Sequence, residues 1–256
     1  MQTAVTIPSD TLAENAEKPK VAVLLPTYCE AENIESLIRE IEALKLGLRI
    51  AVIDDSSPDE TADITRKLNE EYGNIHLVSR REKLGLGTAI TDGFRYLLSR
   101  KDAPDYIVTM DADYSHNPQD IPRLLNAAEK GYALVLGSRY IKQGKIIGSS
   151  LSRRVISRIA NIIAGITIGA RLHDCTGGFR CYSRQYVKHV LPSLHSQTYE
   201  IQIETIKQAR LHSFSVKEIP ITFVNRKRGK SKLSAAEFRA FLTYVLKTGA
   251  KSLFQA

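Results

Sequence analysis

Tryptophan is absent from the 256 residues, methionine occurs twice and cysteine three times. The cysteines, at 29, 175 and 181, are odd in number and lack metal-ligand spacing. That pattern excludes a disulfide framework and a zinc cluster, and fits reduced thiols in a cytosolic compartment. No apolar run is long enough for a membrane span; the best candidate, 159–168, is short and carries Asn161. Residues 1–18 have no apolar core of the signal-peptide kind and are expected to form a disordered leader. A dinucleotide fingerprint is missing as well, because Gly85, Gly87 and Gly93 are wrongly spaced and no strand leads directly into them. The first predicted strand ends in Tyr28-Cys29-Glu30 and not in a Gly-rich, basic phosphate loop, which argues against a sugar-1-phosphate nucleotidyltransferase.

Acidic residues are scarce in one half only. Residues 139–256 hold 21 Lys/Arg against 5 Asp/Glu, a balance of +16, while residues 1–138 hold 15 against 23, a balance of −8. Such asymmetry points to an anionic partner for the C-terminal half. Acidic lipid headgroups, phosphorylated ligands and nucleic acid all have the required charge.

Among the residues present, Asp111-Ala112-Asp113 stands out. It follows the apolar, β-branched run 106–110, which reads as a buried strand. Carboxylates at a strand exit lie at the sheet edge where open α/β sheets bind ligands. Two of them, one residue apart, can share a hard cation such as Mg²⁺ or Mn²⁺ that neutralises a diphosphate. The competing reading makes Asp113 a helix cap and Asp111 a turn residue.

Strands are predicted at 21–26, 50–54, 75–79, 106–110 and 133–137, and helices at 30–46, 59–72, 86–100 and 118–130. This alternation predicts a mostly parallel sheet flanked by helices. The second half shows two longer amphipathic helices, 151–169 and 234–254, with the turn Thr176-Gly177-Gly178 and a strand near 214–223 between them. Other strand exits carry candidate ligand groups. Tyr28 offers a flat face for a base, Glu30 can hold a ribose, and the adjacent Asp54 and Asp55 exceed what one helix cap needs. Lys83-Leu84-Gly85-Leu86-Gly87 gives a third flexible approach.

Six motifs then occur in order: Pro26-Thr27-Tyr28-x-Glu30, Asp54-Asp55-x-Ser57-Pro58-Asp59, Asp111-Ala112-Asp113, Gly137-Ser138-Arg139-Tyr140, Asp174-x-x-Gly177-Gly178-Phe179-Arg180 and Arg226-x-x-Gly229-x-Ser231-Lys232-Leu233. Together they resemble the dolichyl-phosphate (polyprenyl-phosphate) mannosyltransferases of glycosyltransferase family 2. The resemblance implies a GT-A, Rossmann-like catalytic domain over residues 19–233, followed by an amphipathic helix at 234–256. It also implies a GDP-mannose donor, a divalent metal, Mg²⁺ or Mn²⁺, and a polyprenyl (dolichyl) phosphate acceptor. The expected reaction is an inverting transfer giving a lipid-linked sugar.

By position in those motifs, Pro26, Tyr28, Glu30, Ile53 and Asp55 would form the nucleoside pocket, with Ala112 between the carboxylates. Asp111 and Asp113 would handle metal and diphosphate. Arg139, Arg153 and Ser157 would meet phosphate on the acceptor side, and Arg226 with Lys232 would close over the donor. Some members place Gln two residues after the second Asp as a further metal ligand; here Ser115 stands there, with His116 beside it. Asp113, Arg139 and Arg153 are thus the candidate catalytic residues. The wider family's processive synthases carry Gln-x-x-Arg-Trp, and a chain without Trp is expected to transfer a single sugar. A phosphate acceptor needs no general base, because it is already anionic.

The lipid acceptor requires access to a membrane. Both long helices combine an apolar face with basic residues, the first with Arg153, Arg154 and Arg158, the second with Phe238, Phe241 and Phe254 beside Arg239, Lys247 and Lys251. A peripheral protein on the cytoplasmic face is therefore expected, docking through these helices or through a small membrane subunit. A polyprenyl-phosphate glucosyltransferase or another UDP-sugar enzyme shares most motifs. A non-enzymatic basic adaptor for membranes or nucleic acid explains the charge split but leaves the Asp pair idle; no nucleic-acid partner is expected.

Overall fold

The computed structural model describes residues 19–226 and Tyr244. The expected leader at 1–18, Lys232, and all of the 234–256 helix but Tyr244 lie outside the described residues. Strands and helices alternate through the first half: β1 (Val21–Thr27), α1 (Ala31–Glu42), β2 (Arg49–Asp54), α2 (Thr61–Tyr72), β3 (Ile75–Ser79), α3 (Leu86–Ser99), β4 (Tyr106–Thr109), α4 (Ile121–Glu129) and β5 (Leu134–Ser138). The second half adds β6 (Lys145–Ile147), α5 (Leu151–Ile168), β7 (Arg180–Ser183), α6 (Arg184–Val190), α7 (Ile201–Leu211), β8 (Val216–Pro220) and β9 (Thr222–Val224).

Seven strands form one sheet in the order β3-β2-β1-β4-β7-β5-β8, and β7 alone runs antiparallel to its neighbours. Both faces are covered, so the central strands are apolar throughout. In β1, Ala22 and Leu24 enter the core shared with α3, α5, α6 and α7, while Val21, Val23 and Leu25 enter the core shared with α1, α2 and α4. Helix α1 buries Ile34, Leu37, Ile38 and Ile41, the spacing of one helical face. The chain moves outward from β1 to β3, then returns to place β4 on the other flank of β1. That switch point opens a crevice at the carboxyl ends of β1, β2 and β4.

The second half departs from the sequence-based expectation. Strand β7 and helices α6 and α7 were not predicted. The single strand expected near 214–223 is two, with Ile221 between them: β8 extends the main sheet beside β5, and β9 pairs with β6. Helix α4 is preceded by a 3₁₀ turn over Pro118–Asp120, since Pro122 has no N–H to donate to the Pro118 carbonyl and its ring would clash with that carbonyl in a continuous α-helix. Helix α5 packs by its small and polar residues, burying Asn161, Ala164, Gly165 and Thr167 with Ile168. Its larger apolar residues are left exposed, from Ile163 at 40% to Leu151 at 78%.

Candidate active site

The crevice at the switch point is lined by Pro26, Thr27, Tyr28 and Glu30 from the exit of β1, Asp55 from that of β2, and Asp111, Ala112 and Asp113 from that of β4. Lys83, Gly85, Leu86, Ala89, Tyr199 and Arg226 complete it. Three non-glycine residues at these exits, Cys29, Ser56 and Tyr114, adopt left-handed φ of 54°, 56° and 61°. Such conformations persist where surrounding contacts hold them, often at binding sites. Here Asp54 does much of the holding: its carboxylate accepts from Ser57 N–H at 2.9 Å, Ser57 Oγ at 2.6 Å and Thr27 Oγ1 at 2.9 Å. Asp59 bridges the two turns by accepting from the Ala31 N–H at 3.1 Å.

With Asp54 committed to the turn, Asp55 is the carboxylate that reaches the cleft. It accepts from Arg80 Nη1 at 2.5 Å and from the Gly85 N–H at 3.0 Å. Burial pushes the Asp55 carboxyl upward, against the opposing pull of the Gly85 N–H and the Arg80 charge. Arg80 Nη2 also donates to Thr88 Oγ1 at 2.7 Å, so one buried guanidinium fastens the glycine loop to the β2 exit. Lys83 on that loop sits 4.3 Å above the ring of Tyr28, a cation–π contact over the face offered to a base. Glu30 donates its N–H to Thr61 Oγ1, and its carboxylate accepts from Asn33 Nδ2, each at 2.9 Å. Ile53 is fully buried in the core beneath the cleft and does not line it.

The Asp pair is arranged by its own loop. The Asp111 N–H donates to His116 Nδ1 at 3.1 Å, and the His116 ring stacks on Phe179 with centroids 5.0 Å apart. Burial pushes His116 down to about 4, so the ring is neutral and its Nδ1 is an acceptor. His116 therefore shapes the turn through its Nδ1. Asp113 accepts from the Ser115 N–H at 3.1 Å and faces Arg226 Nη2 at 3.1 Å. Ser115 Oγ is buried without a hydrogen-bond partner among the described residues. Two carboxylates and one unsatisfied hydroxyl are hard oxygen donors that suit Mg²⁺ or Mn²⁺, which commonly bind one or two carboxylates and complete their shell with phosphate and water. Gly178 keeps the approach open, since a Cβ there would stand 3.1 Å from Asp111 Oδ1.

Arg139 follows β5 on the far side of β7. Its Nε and Nη2 grip Asp174 at 2.7 Å each, and Nη2 also donates to Thr176 Oγ1 at 2.8 Å. Burial opposes the charge on Arg139, but Asp174 outweighs it and raises the guanidinium pKa; the same pair holds the Asp174 carboxyl below its usual range. Glu218 steadies the turn by accepting from the Asp174 N–H at 2.9 Å, and Asn161 Oδ1 accepts from the N–H groups of Cys175 and Thr176 at 2.7 and 3.0 Å. The polar break in the apolar run of α5 is thus the anchor of the Asp174 loop.

Tyr140 donates its hydroxyl to Ser157 Oγ at 2.7 Å, and the guanidinium of Arg158 lies 5.1 Å from its ring centroid. A second cleft opens here, lined by Arg139, Tyr140, Ile146, Arg154, Val155, Arg158 and Ile159. Arg153, expected on the acceptor side, is exposed and does not line this cleft; Arg154 and Arg158, one turn apart, do. Lys232, expected beside Arg226, lies outside the described residues.

The family model of glycosyl transferase family 2 matches residues 22–191. The chain belongs to that family. This glycosyltransferase is 35% identical over 232 residues to a polyprenol monophosphomannose synthase of Mycolicibacterium smegmatis, covering 90% of this chain and 87% of that protein. It is 37% identical over 217 residues to an undecaprenyl-phosphate mannosyltransferase of Micrococcus luteus, covering 84% and 88%. Among solved structures it resembles glucosyl-3-phosphoglycerate synthase from Mycobacterium tuberculosis in complex with Mn²⁺, UDP and glucosyl-3-phosphoglycerate, with a TM-score of 0.63, 21% identity and coverage of 90% and 78%. A mannosyltransferase from Pyrobaculum calidifontis in complex with GDP-Man and Mn²⁺ aligns with a TM-score of 0.61 at 16% identity, covering 94% and 65%. The glycosyltransferase thus has the GT-A fold expected from its motifs.

Sequence reasoning missed Tyr199, Arg154 and Arg158 as cleft residues, and Arg80 as the cation that holds Asp55 and the glycine loop. It noticed the loop that carries Lys83 for its flexibility and gave the lysine itself no role. Arg154 and Arg158 were visible as a basic cluster, and only the roll of α5 selects them over Arg153. Tyr199 belongs to a loop without any periodic signal.

Proposed function

We propose that this glycosyltransferase moves mannose from GDP-mannose to the phosphate of a polyprenyl (dolichyl) phosphate, giving polyprenyl phosphate mannose. The observation that carries this reading is the cleft at Arg139, Arg154 and Arg158, which runs into the exposed apolar face of α5. An arginine-lined cleft bordered by Val155, Ile159 and Ile146 suits a phosphate attached to a lipid better than a soluble phosphate. The names of the two relatives at 35% and 37% identity support the same choice of sugar and acceptor.

In this reading Pro26, Tyr28, Glu30 and Asp55 hold the nucleoside, and Lys83 leaves the Tyr28 ring when a base stacks there. Asp111 and Asp113, with Ser115 behind them, would hold Mg²⁺ or Mn²⁺, which supplies charge neutralisation for the departing diphosphate. Arg226, poised beside Asp113, adds a cation to the same end of the cleft. The acceptor phosphate is an anionic nucleophile at neutral pH, so it needs positioning and not deprotonation. Arg154 and Arg158 hold it in line, and Arg139 is fixed beside them by Asp174. A phosphate oxygen bonds to the anomeric carbon as the bond to the diphosphate breaks, and this single displacement inverts the configuration.

Among the described residues no helix is long and apolar enough to cross a membrane. We place the protein peripherally on a membrane's cytoplasmic face, with Ile156, Ile159, Ile163 and Ile166 of α5 in the interface. Transfer assays with labelled GDP-mannose and UDP-glucose, each with undecaprenyl phosphate and Mn²⁺, test the proposal. GDP-mannose is expected to give lipid-linked mannose. Preferential use of UDP-glucose, or mannose release independent of the lipid, would overturn it.

A further inference from the structure

The loop from His195 to Tyr199 carries no assigned function, yet two buried carboxylates of α7 and its entry hold it. Glu204 accepts from the N–H groups of His195 at 3.1 Å and Ser196 at 2.9 Å, and Glu200 from those of Gln197 and Thr198 at 3.0 Å each. The Gln197 carbonyl in turn accepts from the Gly87 N–H at 2.9 Å, at the first turn of α3. Gly85 permits this approach, because a Cβ there would meet the Gln197 oxygen at 2.6 Å. One side of the loop is therefore fixed to the donor's glycine loop.

Its other side is tied towards the acceptor. Arg180 is fully buried and donates to the carbonyls of Gln202 at 2.7 Å and Cys175 at 2.9 Å, and Cys175 adjoins the Asp174 that grips Arg139. Tyr199 stands at this joint, half-buried, and lines the cleft with Asp111, Asp113 and Arg226. The transferred sugar must lie between the diphosphate and the acceptor phosphate, along this wall.

We propose that Tyr199 touches the transferred sugar, its ring packing against the apolar face of the hexose and so contributing to sugar selection. Aromatic side chains commonly line such pockets, where a few polar groups fix orientation. The carboxylates of Glu200 and Glu204 are committed to backbone amides, so this wall presents packing surface and not a base. The inference rests on the sugar-transfer reading of the cleft.

Calorimetry with the Mn²⁺-loaded full chain separates the two. For Tyr199→Ala, affinity for the nucleotide sugar is expected to fall about tenfold while affinity for the free nucleoside diphosphate stays within twofold. Tyr199→Phe, which keeps the ring, is expected to retain both affinities, and Tyr199→Leu controls for loss of packing. Equal losses of nucleotide sugar and nucleoside diphosphate would make Tyr199 a nucleotide or scaffold residue and overturn the inference. So would an Ala variant with unchanged affinity for the nucleotide sugar. Failure of the wild-type protein to transfer any sugar to a lipid phosphate would instead refute the parent reading.

Discussion

The two sides of the active site fix a charged group in opposite ways. On the donor side, the Asp111 turn is shaped by His116, a buried ring that remains neutral. On the acceptor side, Arg139 is shaped by a buried ion pair with Asp174. The difference follows from what each side must bind. In the proposed metal reading Asp111 and Asp113 keep their negative charge for a cation; Asp113 already faces Arg226 at 3.1 Å, and a neutral ring holding the turn adds no further positive charge to compete. Arg139 sits in a half of balance +16, where a buried carboxylate lowers mutual repulsion and locks one guanidinium face. A neutral positioning group preserves charge for a ligand, and an ionised one uses part of that charge for geometry.

Removing the donor-side charge is expected to have the largest effect. Asp113→Asn keeps the shape and one acceptor for the Ser115 N–H, but halves the carboxylate pair. Transfer should fall by about 10²–10³-fold, the loss typical of a single electrostatic group at a reacting centre. Steady-state rates across a Mn²⁺ titration provide the check. Wild-type turnover with unchanged metal dependence would show that Asp113 does not serve the cation.

The neutral ring makes the next prediction, on stability. His116 titrates near 6.5 when unfolded and at about 4 when folded. Below 6.5 the unfolded chain takes up a proton that the folded protein refuses, so the stability this site supports above 6.5 is lost as pH falls towards 4. The loss is on the order of 3 kcal/mol. Asp174 behaves differently: its folded pKa is depressed, so its contribution persists above the usual carboxylate range and disappears only as pH falls below it. Melting curves of wild type and His116→Asn between pH 7 and 4 should converge as pH falls. Parallel curves would mean that His116 is not the neutral group inferred from its contacts.

The same contrast explains what could be read without coordinates. In the donor half, strand limits fell within one or two residues of those observed, because doubly covered strands such as β1 and β2 are apolar runs that turn polar at their ends, at Thr27 and Asp54. The acceptor half hides its elements. Strand β7 is four residues long and opens with Arg180, a residue that composition assigns to the surface but which is fully buried against carbonyl oxygens. Helix α7 buries Ile201, Gln202, Ile203, Glu204 and Thr205 in succession, so it shows no one-sided stripe. At the site, the Asp pair and its strand exit were legible from local spacing. The roles of Arg80 and Glu200 were not, because each acts on a loop distant in sequence.

The acceptor side can be sharpened by pairing two arginines. All three arginines of α5 are exposed, but Arg158 lines the cleft beside Tyr140, whereas Arg153, one residue before Arg154, does not. Arg158→Ala should raise KM for polyprenyl phosphate about tenfold, as expected for one charge-assisted phosphate contact of 1.5–3 kcal/mol, with affinity for GDP unchanged. Arg153→Ala should change acceptor KM by less than about twofold in detergent, where no charged surface is present. If Arg153→Ala proves the more damaging, the roll of α5 differs in the bound state and the position-based assignment of Arg153 is the better one.

For Arg153 a smaller role is predicted, at a membrane surface. Its neighbours on α5 include Ile156, exposed at 56%, so its cationic head and the apolar face would meet a bilayer together. A basic residue near an anionic surface contributes about 1 kcal/mol, and salt screens it within about a Debye length of 10 Å at 0.1 M. Arg153→Gln should therefore weaken binding to phosphatidylglycerol-containing vesicles about fivefold at low salt, and hardly at all at 1 M salt. Ile159→Glu should weaken binding at both, because salt does not screen apolar insertion. Flotation of both variants across a salt series distinguishes the two contributions. If the wild-type protein never floats with vesicles, even with polyprenyl phosphate present, α5 does not dock on lipid by itself and the peripheral placement through this helix is wrong.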